Sequence, residues 1–293
     1  MSDSAAIADR PRSLDELDHL TSNASGEVTY VAGATDLMVN PEHWKSAAHL
    51  VDLTSVPELT TTLQTDDGGL LIGAAVPLSR LIRDVVVRER YPLLVEACAQ
   101  IGSVQIQNRA TLGGNIANAS PAGDSLPALS VYDAELHLGP RLDGAFTKAK
   151  ITDVMRGPGL TSLARRYIAF IRLTKVEVNG QFRYFRKVGQ RYSLAISKLS
   201  LAVLGWREGD RIRDIRICAG SVSPVVQRAE RTEALLRGQA LSDELIAEAA
   251  RRLSEEVSPI TDIRSSESYR RHICGAVLAD ALHTIRSGGS GGK

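Results

Sequence analysis

The spacing of apolar positions divides the chain into three segments, which a short polar tail follows. The bounds are 1–57, 58–174 and 175–286, with a flexible Gly- and Ser-rich tail over 287–293. The first segment predicts a helix over 13–20 that begins at a Ser13 N-cap, followed by a strand over 28–32. This pattern favours a small strand–helix–strand unit.

The second segment is the richest in predicted elements. They are a hairpin of strands 59–63 and 70–72, helices over 77–90, 91–101 and 125–131, and strands over 134–138 and 167–173. A stretch over 110–123, rich in Gly and Asn, shows neither helical nor strand periodicity and is predicted as a loop.

The third segment groups its strands before its helices. Strands are predicted over 182–187, 197–206 and 212–219, and helices over 242–254 and 269–285. This order is typical of an α+β domain and not of alternating βαβ units.

Composition narrows the range of functions. Hydrophobic residues make up 43% of the chain and charged residues 24%, as in a globular protein. The 35 Lys and Arg balance 34 Asp and Glu, and aromatic residues are only 4%. Both observations argue against a nucleic-acid surface. No apolar run has the length of a membrane span.

The cysteines and histidines give no metal-binding pattern. Cys98, Cys218 and Cys274 lie far apart, so no iron–sulfur or zinc framework is predicted. A sparse, odd cysteine count and a polar N-terminus fit a cytoplasmic protein. The six histidines show no ligand spacing, and we predict neither a metal site nor a catalytic side chain in this chain.

The first candidate binding segment directly follows the strand over 28–32. It consists of small or polar residues, which are Ala32, Gly33, Ala34, Thr35 and Asp36. Such a loop lets the backbone approach a ligand, and its N–H groups can surround an anion such as a diphosphate. Taken alone, the segment is more typical of an ordinary strand-to-helix turn capped by Thr35 or Asp36, because short glycine motifs often occur without a ligand.

The second candidate segment is the most unusual part of the sequence. It runs from 111 to 124 and contains the polar or small residues Thr111, Gly113, Gly114, Asn115, Ser120 and Asp124. Adjacent glycines are costly in backbone entropy unless a close approach requires them. The alternative is a surface loop in which Asp124 caps the helix over 125–131, but we favour ligand binding.

A third candidate segment offers two cations. Lys187 and Arg191 could face an anionic ligand or an electron-rich ring. For isolated charges a solvated strand end is the more common explanation.

Together the three segments resemble the FAD-binding medium subunit of molybdenum hydroxylases, the xanthine dehydrogenase and carbon monoxide dehydrogenase family. The resemblance covers about residues 14–285 and is most specific at Thr111-Leu-Gly-Gly-Asn115 with Ser120-Pro-Ala-Gly-Asp124. It is closer to xanthine dehydrogenase-like subunits than to carbon monoxide dehydrogenases. The implied fold is α+β: a two-part FAD-binding region of the vanillyl-alcohol oxidase type, then a C-terminal α+β domain of the CO dehydrogenase flavoprotein type.

The resemblance also implies roles for individual residues. Residues 32–36 and 111–115 would hold the FAD diphosphate, while Ser120 and Asp124 would contact the adenosine side. Lys187 would lie near the isoalloxazine. Phe185 stands where some relatives have Tyr, so the resemblance supports no hydroxyl contact there.

The implied function is electron transfer within a complex. A large molybdopterin-binding subunit and a small subunit with [2Fe-2S] clusters would be the partners, since three scattered cysteines cannot hold such clusters. FAD on this chain would pass electrons to NAD+ or another acceptor. Two alternatives stay open: a stand-alone FAD-dependent oxidase or dehydrogenase, and a flavin-free interaction subunit.

Overall fold

The computed structural model describes residues 7–40, 44, 47–191 and 194–289. Its strands are β1 Ile7–Asp9, β2 Val28–Val31, β3 His49–Asp52, β4 Thr62–Gln64, β5 Leu70–Gly73, β6 Glu135–Leu142, β7 Ala145–Lys150, β8 Met155–Gly157, β9 Leu160–Thr161, β10 Tyr167–Leu173, β11 Gln181–Val188, β12 Leu199–Glu208, β13 Arg211–Gly220 and β14 Gln227–Arg228.

The helices of the described residues are short in the first two segments and longer near the C-terminus. They are Leu14–Asn23, Leu78–Arg83, Val85–Arg90, Pro92–Ala99, Val104–Gln107, Leu112–Ala117, Ser125–Val131, Ile151–Val154, Glu230–Leu236, Asp243–Glu256 and Glu267–Arg286. Two 3-10 turns, Leu53–Ser55 and Pro57–Thr60, connect the first two segments.

Three sheets organise the chain, and a two-stranded sheet of β8 and β9 accompanies them. The first is parallel in the order β1-β3-β2, and the second is antiparallel in the order β4-β5-β10-β6-β7. The third, β11-β12-β13-β14, is an antiparallel meander. The implied α+β fold is confirmed, with a two-part N-terminal region and a C-terminal domain.

The third sheet is buried on both faces, and this joins the C-terminal domain to the rest of the molecule. Phe185 and Trp206 pack into the core of the second segment, whereas Tyr184 and Val203 pack under the C-terminal helices. Strand β12 is buried over nearly all its length, because helix Ser125–Val131 covers one face and helix Glu267–Arg286 the other.

The first segment packs on the second sheet. Leu17 and Val51 share a core with Tyr167 and Phe170 of β10. Ser13 accepts a hydrogen bond from the Glu16 N–H, which confirms the predicted N-cap, but the Glu16 carboxylate accepts from the Arg12 N–H instead of closing a capping box.

Two predictions for the second segment are wrong. The helix over 77–90 breaks at Asp84, whose extended backbone ends one helix and whose carboxylate caps the next through the Val87 N–H. The stretch over 110–123 is not all loop: Leu112–Ala117 is a helix capped by Thr111, because burial of Leu112 and Ile116 outweighs the poor helix propensity of two glycines.

Candidate functional site

The two glycine-containing segments face each other across one cleft. This cleft of about 450 Å³ is lined by the first candidate binding segment (32–36), by one face of helix Leu112–Ala117 with its cap, and by a few apolar side chains. The predicted residues at its wall are Ala32, Gly33, Ala34, Thr35, Asp36, Thr111, Gly114 and Asn115. The structure therefore brings together eight of the thirteen candidate binding residues named from the sequence.

The first candidate binding segment supplies hydrogen-bond donors to the cleft. In the part of the chain that the structure describes, the N–H groups of Gly33, Ala34, Thr35 and Asp36 have no acceptor, and neither has the Thr35 hydroxyl. Ala34 adopts a left-handed conformation with φ 58°, and a left-handed residue in a turn is a feature of backbone nests that bind anions. Four free backbone donors in sequence have the chemistry that an anion-binding loop requires.

In the second candidate binding segment, the backbone N–H groups at the start of the helix already have acceptors within the protein. The Leu112 N–H bonds to Val76 O at 3.3 Å, the Gly113 N–H to Ala74 O at 3.0 Å, and the Gly114 N–H to the Thr111 hydroxyl at 3.1 Å. The start of this helix is therefore tied to neighbouring strands and to its own cap. Its contribution to the cleft is shape and side-chain amides.

The glycines at the cleft differ in what a side chain would meet. A Cβ on Gly33 would lie 2.0 Å from Arg109 O, and one on Gly113 would lie 2.5 Å from the Ala74 Cβ. On Gly114 the added Cβ would meet only the Thr111 hydroxyl, at 3.0 Å. Gly33 and Gly113 thus allow backbone packing, whereas Gly114 leaves open space that a ligand can occupy.

Two asparagine side chains complete the polar wall. The Asn115 Oδ1 accepts from the Ser125 hydroxyl at 2.6 Å, and its Nδ2 has no partner within the described chain. Asn118 lines the cleft one turn later. No Lys or Arg is among the described residues that line the cleft, and Asp36 is the one carboxylate there. An anion would be held by backbone and amide donors.

Asp124 and Lys187 form an ion pair behind the cleft and do not line it. The Lys187 ammonium lies 2.6 Å from the Asp124 Oδ2 and also donates to Gln100 O at 2.8 Å. The Ser197 hydroxyl donates to the other Asp124 oxygen. Because the side chains of Asp124 and Lys187 are 6% and 8% exposed, this pair joins the C-terminal domain to the segment over 58–174 through a buried contact.

Burial dominates the electrostatics of this contact. It raises the pKa of the Asp124 carboxyl, and the Lys187 ammonium and the Ser197 hydroxyl oppose that rise. Burial, together with the nearby Asp124 charge, raises the pKa of the Cys98 thiol to about 12. Cys98 is therefore an unreactive core residue.

The remaining predicted residues lie outside the cleft wall. Gly113 is buried against Ala74, and Ser120 forms a turn in which its hydroxyl accepts from the Ala122 N–H. Arg191 donates to Leu194 O, and Phe185 is 1% exposed in the core. The direct contacts of Ser120, Asp124 and Lys187 with FAD stay predictions.

Sequence reasoning missed the apolar part of the cleft. Tyr30, Ile101 and Ile106 line it, together with Gly159. The Tyr30 hydroxyl donates to Arg165 O at 2.6 Å, which holds the ring in place. No sequence pattern marks Ile101 and Ile106 as cleft residues, because they come to the cleft only when the chain turns at Gly102.

A second cavity, of about 770 Å³, lies at the seam between the second and third segments. Its charged groups are largely engaged in structure: Arg228 pairs with Asp133 and Glu233, and Glu256 accepts from the Arg231 and Thr232 N–H groups. It contains none of the candidate binding segments.

The described residues contain no group of three or more His, Cys, Asp or Glu side chains placed to hold a metal ion. All three cysteines are buried free thiols. Among the same residues, no helix has the length and apolar character needed to cross a membrane.

Two protein-family models match most of the chain. A family model described as the FAD binding domain in molybdopterin dehydrogenase matches residues 6–174, and one described as the CO dehydrogenase flavoprotein C-terminal domain matches residues 183–285. These two matches leave unassigned a short connection and the tail.

Individual relatives match at similar, low identity. The glyceraldehyde dehydrogenase medium chain of Sulfolobus acidocaldarius is 29% identical over 246 residues, covering 82% of this chain and 84% of the relative. The putative xanthine dehydrogenase FAD-binding subunit of Escherichia coli is 27% identical over 262 residues, covering 88% of each. A chain in the crystal structure of carbon monoxide dehydrogenase from Hydrogenophaga pseudoflava superposes with a TM-score of 0.88 at 25% identity, covering 98% of this chain and 99% of that one.

Proposed function

The chain belongs to the family of FAD-binding subunits of molybdenum hydroxylases, and from this premise we propose that it is the electron-transfer subunit of such a complex. In this function it takes electrons from iron–sulfur clusters on a partner and passes them to NAD+ or another acceptor. FAD, when bound, supplies a redox group that accepts and releases these electrons.

The observation that carries this proposal is the set of free donors along residues 33–36. A dinucleotide cofactor has a diphosphate with two negative charges, and a loop of unpartnered N–H groups neutralises such an anion without a cationic side chain. The cleft is lined by these donors and by Gly114, whose missing side chain leaves open space. The residues present therefore fit FAD.

Within this cleft the residues have distinct roles. The N–H groups of Gly33–Asp36 and the Thr35 hydroxyl bind the diphosphate, and Asn115 adds a side-chain donor from the opposite wall. Tyr30, Ile101 and Ile106 exclude water from the apolar part of the ligand. Asp124 and Lys187 hold the C-terminal domain against the region that carries the cleft, and any contact of theirs with the ribose or the isoalloxazine is part of this proposal.

The partners follow from the chemistry that this chain lacks. Iron–sulfur clusters need several thiolates close together, and the three cysteines of this chain are buried and separate. A small iron–sulfur subunit and a large molybdopterin-binding subunit would supply the clusters and the substrate site.

The relatives are named for different substrates, so no substrate is assigned. Identities of 27% to the xanthine dehydrogenase subunit and 28% to a carbon monoxide dehydrogenase medium chain favour neither branch. A cytoplasmic location is part of the proposal and is supported by the sparse cysteines.

The test of cofactor binding is the visible absorption of the purified full chain, with identification of any chromophore released on denaturation. We expect flavin bands and FAD in the wild type, and neither in Gly114→Val, whose side chain would enter the cleft. Ala247→Val introduces the same side chain at an exposed position of helix Asp243–Glu256 and should retain FAD. Full FAD content in Gly114→Val would show that the cofactor does not occupy this cleft.

The test of the subunit role is isolation of the chain from its native cells, followed by molybdenum, iron and FAD analysis. Molybdenum and iron that co-elute with FAD in fixed ratio support the complex. A chain that carries FAD, elutes alone and turns over a substrate is the stand-alone enzyme. A colourless chain that does not bind added FAD is the interaction subunit.

A further inference from the structure

The Asn115 side chain is hydrogen-bonded to a residue outside the three candidate binding segments. Its Oδ1 accepts a hydrogen bond of 2.6 Å from the hydroxyl of Ser125, the first residue of helix Ser125–Val131. Ser125 is completely buried, whereas Asn115 lies at the cleft wall. A hydroxyl bonded to the carbonyl end of the amide leaves the amino end free.

The free end of this amide is a donor without a partner. In the described part of the chain the Asn115 Nδ2 makes no hydrogen bond, and Gly114 beside it is exposed. An amide that could rotate freely would present either a carbonyl or an amino group to the cleft. In the observed arrangement the Ser125 hydroxyl donates to the carbonyl end, so the amino end is left for the cleft, and this is the end that an anionic or carbonyl oxygen requires.

Ser125 is itself fixed from the other side. Asp124, the preceding residue, is bound by Lys187 of β11 and by Ser197 just before β12. Lys187 also donates to Gln100 O, next to the cleft residue Ile101. The start of the helix is therefore anchored to the C-terminal domain one residue away from the contact with Asn115.

We propose that Ser125 is a positioning residue for cofactor binding: it orients the Asn115 amide so that its N–H groups point into the cleft, and the Lys187–Asp124 ion pair keeps Ser125 in place. This inference rests on the proposed FAD site. It assigns to the cleft wall one fixed side-chain donor in addition to the backbone donors of the first segment.

The experiment is a double-mutant cycle on FAD affinity, measured by titration of the full apo chain with FAD. Loss of one oriented hydrogen bond should raise the dissociation constant of Ser125→Ala by roughly 5- to 10-fold. In an Asn115→Ala background the same substitution should change it less than about 2-fold, because the oriented group is gone. Ser130→Ala, which removes a hydroxyl bonded to Leu126 O in the same helix, is the matched control and should bind like wild type.

A spectroscopic measurement separates orientation from stability. The side-chain amide ¹H–¹⁵N resonances of Asn115, assigned by their loss in Asn115→Ala, should be single in wild type and shift when FAD is added. In Ser125→Ala they should broaden or split. If Ser125 supported only the fold, Ser125→Ala would weaken FAD binding equally in both backgrounds and leave these resonances unchanged, and the proposal would be overturned.

A second variant tests the donor without touching Ser125. Asn115→Asp keeps an oxygen that accepts from Ser125 but presents a negative acceptor to the cleft, so the dissociation constant for FAD should rise more than about 10-fold. FAD affinity equal to wild type in Asn115→Asp would refute the orientation. A wild-type chain that does not bind FAD would instead refute the proposed function, so the two failures are distinguishable.

Discussion

The two walls of the cleft come from sequence segments that look alike but differ in how their hydrogen-bonding groups are used. The first wall, Gly33–Asp36, leaves four consecutive N–H groups without an acceptor in the described chain. The second wall, Thr111–Asn115, has bonded its N–H groups to neighbouring strands and to its own cap. The backbone N–H groups of the first wall are available to a ligand, whereas those of the second wall are already bonded within the protein.

This difference extends behind the second wall. Asp124, ten residues after Gly114, is paired with Lys187 in a seam that carries the C-terminal domain. Small and polar residues in a motif therefore serve two physical purposes: free donors bind, whereas satisfied donors place the binding surface. Substitutions in the first wall should affect mainly cofactor affinity. In the second wall, substitutions at Thr111 and Gly113 should affect mainly stability, whereas those at Gly114 and Asn115, which line the cleft, should affect mainly cofactor affinity.

The largest effect is expected from breaking the buried ion pair between Lys187 and Asp124. Lys187→Met leaves the Asp124 carboxylate buried without its countercharge, which should lower the free energy of unfolding by about 4 kcal/mol. Denaturant unfolding of the apo chain measures this change. The matched variant is Lys187→Met combined with Asp124→Asn, which removes both charges and should recover most of the loss. A single variant as stable as wild type would show that the pair does not hold the domains together.

The next effect compares two adjacent glycines of the second wall. Gly113→Ala places a Cβ 2.5 Å from the Ala74 Cβ, and this overlap should cost about 2 to 3 kcal/mol of unfolding free energy. Gly114→Ala meets only the Thr111 hydroxyl and should change the unfolding free energy by less than about 0.5 kcal/mol while it weakens FAD binding. Equal losses of stability at both positions would contradict the assignment of Gly114 to the ligand side.

A smaller effect distinguishes the two threonines, one on each wall. Thr35→Val removes a hydroxyl that has no partner in the described chain, so apo stability should not change while the FAD dissociation constant rises about 5-fold. Thr111→Val removes the cap of helix Leu112–Ala117 and should cost about 1 kcal/mol of unfolding free energy. Thermal unfolding and FAD titration of both variants measure the contrast. A stability loss in Thr35→Val larger than in Thr111→Val would reverse it.

The sequence was informative where the information is local. The strand before Gly33, the helix over 125–131 and the strand over 167–173 follow from short-range periodicity, and the structure has the last two at the predicted bounds. The helix at Leu112–Ala117 could not be predicted, because its stability comes from tertiary burial of Leu112 and Ile116 rather than from propensity. The partner of Lys187 is 63 residues away, and no pattern in a single sequence indicates which carboxylate a buried lysine will meet.

The smallest effect tests the strained residue that shapes the first wall. Ala34 has φ 58°, a conformation that costs a non-glycine residue about 1 kcal/mol, so Ala34→Gly should raise or hold the unfolding free energy within about that amount. Because glycine adopts the same angle, the N–H groups keep their direction, and FAD affinity should stay within about 2-fold. Ala34→Val, whose branched side chain resists this angle, should instead weaken FAD binding with little change in the second wall. FAD titration of both variants decides the point: if Val binds as well as Gly, the left-handed turn at Ala34 does not set the direction of the donors, and the openness of the first wall has another cause.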